Sequence, residues 1–180
     1  MKIRFNKEES GQALIEMSFG FIVMCVFVFG AIDFGRAVYD SEVMKNLAGE
    51  GSSMAARSTP ILTVASTVLT YAGSDIDLTH KGCIIITTVT NVSGTAEITA
   101  QTPTSICGSP AASKIGCVIG TAGCGTPTLP AGARLALLSE PSGSFLSVTE
   151  IYYNFSPITP IAGLMRGNLL PSQMYAVAYY

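Results

Sequence analysis

Residues 13–32, ALIEMSFGFIVMCVFVFGAI, hold a single charged residue, Glu16. A helix of this length spans about 30 Å, the thickness of a bilayer's hydrocarbon core. A soluble helix is rarely apolar on every face for so long, because one face must meet water. The run therefore predicts a membrane-spanning helix. A cleavable secretory signal would have an apolar region of about 7–15 residues ending in a small-x-small site. Here the run ends in Ile32-Asp33-Phe34-Gly35-Arg36, which is no such site.

The flanks set the expected orientation. Lys2, Arg4 and Lys7 precede the span, and Arg36 and Lys45 follow it. Basic residues favour the cytoplasmic side, so the N-terminus is expected there. Four of the five cysteines lie after the span, where an oxidising compartment would suit them. Ten basic and twelve acidic residues give a net charge of −2. That balance leaves no basic face for nucleic acid, and none is expected as a partner.

Beyond the span, Phe34, Ala37, Val38, Ser41, Met44, Leu47, Ala48, Met54 and Ala55 recur at helical spacing. Asp40, Glu42, Lys45, Glu50 and Arg57 fall mostly between them, so an amphipathic continuation is predicted. Thr59-Pro60 is the expected stop, since a residue before proline avoids the helical region. The helix should run from about residue 12 to residue 57.

Residues 61–180 change character, with nine charged residues in 120 and frequent Ser, Thr, Gly and Pro. Segment 83–90 reads as a strand, 91–94 as a turn and 95–102 as the partner strand. Residues 103–132 read as a long stapled loop. Segment 133–139 fits a strand or a short helix, and 145–156 and 173–180 read as strands. The expected fold is α+β: a long N-terminal membrane-spanning helix packed on a small antiparallel β-sheet ectodomain with a disulfide-stapled loop.

A carboxylate within an apolar span costs several kcal/mol unless it is paired or protonated. Glu16 could snorkel to the interface. Its spacing offers another reading. In Ser10-Gly11-Gln12-Ala13-Leu14-Ile15-Glu16, a glycine opens the apolar run and a glutamate follows five positions later. This resembles the class III signal of type IV pilins. GQALIEMSFGF and the exit Ile32-Asp33-Phe34-Gly35-Arg36-Ala37 are similar to the TadE-like pilins of the tight-adherence system, and VTEIYYNFSPITP (148–160) is similar to their late strand. The resemblance implies a leader over 1–11, cut by prepilin peptidase after Gly11 so that Gln12 becomes the first residue. It implies that Glu16 pairs with the new amine of a neighbouring subunit. Domains would then be the leader, the helix 12–57 with its span at 13–32, and an extracytoplasmic β-rich domain over 58–180. The implied protein is a structural, non-enzymatic subunit, major or minor, of a pilus or its assembly machinery. It would be stored in the cytoplasmic membrane and meet other pilin subunits at the surface. The alternative is a single-span surface protein whose ectodomain binds a ligand or partner.

Cys25 lies within the span and reads as an apolar filler. Cys83, Cys107, Cys117 and Cys124 are even in number, and two disulfides are expected, with three connectivities open. The turn at 91–94 would set Cys83 opposite Thr102, near Cys107, which favours Cys83–Cys107 and Cys117–Cys124. Zinc is the rival for His80 and these thiols, but no C-x₂-C pair occurs. No metal or cofactor is expected. His80 is the one histidine and reads as a solvated loop residue, while Asp75-Ile76-Asp77 lacks the further ligands of a calcium loop. Asn91-Val92-Ser93 and Asn154-Phe155-Ser156 match the glycosylation sequon and carry little weight.

Overall fold

The computed structural model describes residues 7–73, 76–103, 107–117, 126–159 and 171–180. Helix α1 runs uninterrupted over Lys7–Ala56. It is followed by α2 (Ile61–Ala72), α3 (Leu78–Lys81), β1 (Gly82–Val92), β2 (Thr95–Gln101), α4 (Ala131–Ser139), β3 (Phe145–Asn154) and β4 (Gln173–Tyr179). Contacts divide the chain into two compact units, one of Met1–Ala37 with Ser156–Pro171 and one of Val38–Phe155 with Ser172–Tyr180.

In the first unit the most apolar stretch of α1 is covered by no other described residue. Leu14, Phe19, Ile22 and Phe27 all stand exposed. Such a surface is satisfied by lipid or by other apolar helices, and not by water.

The second unit is a four-stranded antiparallel sheet of order β2-β1-β3-β4. The β1–β2 turn is two residues long, with φ of 51° at Ser93 and 85° at Gly94. Positive φ at both central positions defines the type I′ turn, whose twist matches that of the flanking strands. A bulge at Thr88/Val89 then shifts the register.

Both central strands are buried on both faces. That explains why β1 reads GCIIITTVTNV and not as strict alternation. One face of β3 meets α1 and α2: a Cβ built on Gly51 would lie 3.0 Å from Thr149 Cγ2 and 3.3 Å from Val68 Cγ2. The absence of a side chain at Gly51 is what lets helix and sheet approach so closely. On the other face Val89, Ile98 and Val148 pack with Ile115 and with Leu137 of α4.

Within this unit the buried face of α1 is Asp40, Met44, Leu47, Ala48, Gly51, Ser52 and Ala55. The period is the helical one, but the face is rotated from the predicted stripe. Phe34 and Val38 are exposed, and Asp40 is buried. Apolar residues on the outer face made the stripe look wider than it is.

Helix α2 has no counterpart in the sequence reading. Its residues, ILTVASTVLTYA, are mostly β-branched or small, which favours strands. Val64, Ala65, Val68 and Ala72 are nonetheless buried at helical spacing. The hydroxyls of Ser66, Thr67 and Thr70 donate back to carbonyls three or four residues earlier, at 2.8–2.9 Å. Segment 133–139 resolves to helix, within α4.

Candidate functional site

The expected processing residues lie on the uncovered start of α1. Apart from its chain neighbours and its own helix backbone, Gly11 has no described atom within 4 Å of where its Cβ would stand. Glu16 is exposed one turn further on, and Gln12 Nε2 donates to its Oε1 at 3.4 Å. Residues four apart on a helix face one another, so the expected new first residue and the acidic residue share a face.

The other end of the apolar run carries a feature that hydropathy does not show. Asp33 of the exit sequence is fully buried. Its Oδ1 accepts the Ile158 backbone N–H at 3.1 Å, and its Oδ2 accepts the Thr159 hydroxyl. A buried carboxylate is tolerable when donors surround it. Here the donors come from the connection between β3 and β4, more than a hundred residues away. Both lie in the first unit, so the clasp fixes the start of that connection to the end of the span.

In the second unit Cys83 and Cys107 form a disulfide. Cys83 and Ile85 pack with Tyr152, and Cys107, Ala111 and Tyr175 complete that cluster. Cys117 is also disulfide-bonded. Its expected partner Cys124 lies outside the described residues. Cys25 is a free thiol. With Cys83 oxidised, a zinc site built on it is chemically ruled out, since the metal ligand is the thiolate.

The residues after the disulfide are held by a second device, Glu150. This carboxylate sits mid-strand in β3 and is fully buried. Oε2 accepts the Ser113 hydroxyl, and Oε1 accepts the Lys114 backbone N–H at 2.9 Å and the Tyr175 hydroxyl at 3.0 Å. The Tyr152 hydroxyl lies 2.8 Å from the Ala112 carbonyl and 3.1 Å from Oε1, one donor facing two acceptors. Burial first, and then the Glu150 charge, pushes the phenols of Tyr152 and Tyr175 well above their ordinary value of 10.0. The Lys114 ammonium lies 3.7 Å from the centre of the Tyr175 ring, a cation–π contact. The groups that donate to Glu150 tie residues 113 and 114 after the disulfide to β3 and β4.

His80 lies on the short helix α3 and not in a loop. Its Nδ1 is 2.9 Å from Asp77 Oδ1, and its backbone N–H also bonds to that carboxylate. The His80 contact, first of all, holds the Asp77 carboxyl below its usual value. The pair is exposed and caps a four-residue helix. Asp75 lies outside the described residues.

Asn91 is buried, so the first sequon is no acceptor. Its Nδ2 donates to the carbonyls of Leu137 and Glu140, and its Oδ1 accepts the Gly94 N–H. In the second sequon Asn154 donates to Ser109 Oγ at 2.6 Å.

Residues 11–53 match the family model described as TadE-like protein. That segment is similar to TadE-like proteins. The match begins at Gly11, the expected cleavage residue, and contains Glu16 and Asp33. Neither the curated proteins nor the solved structures give a match to this chain. The matched segment thus lies within α1, and every strand of the sheet stands outside it. Sequence reasoning singled out Gly11, Gln12, Glu16 and the cysteines. It missed Asp33 and Glu150 as anchors, because a carboxylate in a sequence does not reveal the donors that will converge on it.

Proposed function

We propose that this chain is a pilin-like structural subunit, major or minor, of a tight-adherence pilus or its assembly machinery, and not an enzyme. Prepilin peptidase would cut after Gly11, and Gln12 would become the first residue. The protein would wait in the cytoplasmic membrane with its C-terminal unit outside, then join other subunits at the surface. The observation that carries this reading is the coincidence of the TadE-like match with one unbroken helix whose first five turns beyond Gly11 are uncovered. One apolar helix can serve twice, in lipid before assembly and among neighbouring helices afterwards.

Glu16 has its role only in the assembled state. In lipid it can hydrate near the interface at modest cost. In a helical core it would pair with the amine of a processed neighbour. Removing one partner of a buried pair costs about 3–5 kcal/mol, because the other charge is left alone. Glu16→Ala should therefore insert and be cut normally yet be depleted from sheared filaments, measured by co-sedimentation against its membrane level. Wild-type recovery in the filaments would remove the pairing role. Gly11→Val should leave the uncut form in the membrane, and normal shortening of that variant would point to a different protease.

A further inference from the structure

Two neighbouring depressions in the surface of the β-rich unit, of about 450 and 660 Å³ and both wide open to solvent, share Gly143 and Phe145 as lining. One wall of the first is the α1–α2 turn from Ser58 to Leu62, and its floor includes Thr88 and Thr90 of β1. The second adds Ser142, Ser144 and Tyr180. Neither cavity is lined by a charged side chain. Phe145 and Tyr180 are 42% and 63% exposed, so both residues present surface to a ligand. The hydroxyls of Ser58, Thr59, Thr88 and Ser144 make no hydrogen bond among the described residues.

Both walls are held in place before any ligand arrives. Ser58 sits at φ 62° and is followed by Thr59-Pro60, which sets the α1–α2 turn. The opposite turn is bound to the backbone of Asn91: the Asn91 N–H donates to the Ser144 carbonyl at 2.8 Å, and the Gly143 N–H donates to the Asn91 carbonyl at 2.8 Å. Asn91 is itself fixed by its side chain to the end of α4. Preorganised walls reduce the ordering cost of binding.

A cleft with no charged side chain that combines exposed aromatic residues with hydroxyls unpartnered among the described residues selects a narrow ligand chemistry. A charged ligand would lose water and find no charged side chain in the lining to pair with. A wholly apolar one would bury the hydroxyls without partners. A neutral sugar ring has an apolar C–H face for the aromatic surface and a rim of hydroxyls that both donate and accept. We propose that this cleft binds a neutral saccharide, with Phe145 as the stacking platform and Thr88 as a hydrogen-bonding floor residue. The proposal is independent of the filament reading.

The test uses the full chain in lipid nanodiscs on an array of neutral mono- to tetrasaccharides set beside sialylated and sulfated counterparts. Saturable binding to a subset of the neutral glycans is expected. Phe145→Ala and Thr88→Val should each weaken it about tenfold, the worth of one good ring contact or hydrogen bond. Tyr180→Ala changes an exposed residue at the end of β4 and should weaken binding with the melting temperature unchanged, which separates loss of the site from loss of the fold. Absence of saturable neutral-glycan binding, binding confined to the anionic glycans, or wild-type binding by both Phe145→Ala and Tyr180→Ala would overturn the proposal.

Discussion

Glu150 occupies a mid-strand position where alternation alone would place one more apolar residue. Its carboxylate collects the Ser113 hydroxyl, the Lys114 N–H and the Tyr175 hydroxyl. Hydrogen bonds to a charged group contribute about 1.5–3 kcal/mol each, and buried donors stripped of an acceptor lose their desolvation energy outright. Glu150→Ala should therefore destabilise the β-rich unit by about 3–5 kcal/mol in denaturant melts. The raised phenols of Tyr152 and Tyr175 make a separate prediction. The folded state holds these protons more tightly than the unfolded one does. Their contribution is complete below pH 10 and declines as pH rises above it, because the unfolded phenols ionise first. Unfolding monitored across pH 9–12 should show that decline, and it should shrink in Tyr175→Phe. Asp33 acts by the same logic in the first unit. Asp33→Ala should release Ile158 and Thr159, seen as faster proteolysis within 156–159 and unchanged cleavage elsewhere.

Among the elements, the span and the sheet were the most legible. Twenty residues with one charge form the expected long apolar helix, and β1, β2, β3 and β4 fall within two residues of the expected segments. The hairpin turn was legible from two residues that adopt positive φ, but the register behind the first disulfide was not: Thr102, expected opposite Cys83, bonds to the Ile86 carbonyl beyond the bulge, and Cys83 reaches Cys107 through the residues that follow β2. Helix α2 was not legible, because its β-branched composition contradicts its conformation and its burial depends on α1 and β1. The rotation of the buried face of α1 was hidden for a related reason. Outside water, hydrophobicity marks every face, so Phe34 and Val38 look like core and Asp40 looks like surface. Gly51 is the sharpest test of that face. Gly51→Val would drive its side chain into Thr149 and Val68, and should lower stability by about 1–3 kcal/mol, typical of overpacking, where Gly49→Ala should not.

At the scale of the whole molecule, a helix similar to that of TadE-like proteins precedes a disulfide-braced sheet whose loop is fixed twice, by Cys83–Cys107 and by Glu150. Thiol labelling of the unfolded, unreduced protein should find Cys25 alone, and further reactive thiols would contradict a second bridge at Cys117. The sheet and its anchors explain how the unit is stable, but they are compatible with any membrane-tethered protein. What separates a filament subunit from a fixed anchor is the chemistry at Gly11. The most direct measurement is the intact mass of the protein recovered from membranes of cells that contain its assembly machinery. A mass that begins at Gln12 is the result this account predicts. A protein that begins at Met1 under those conditions would contradict it.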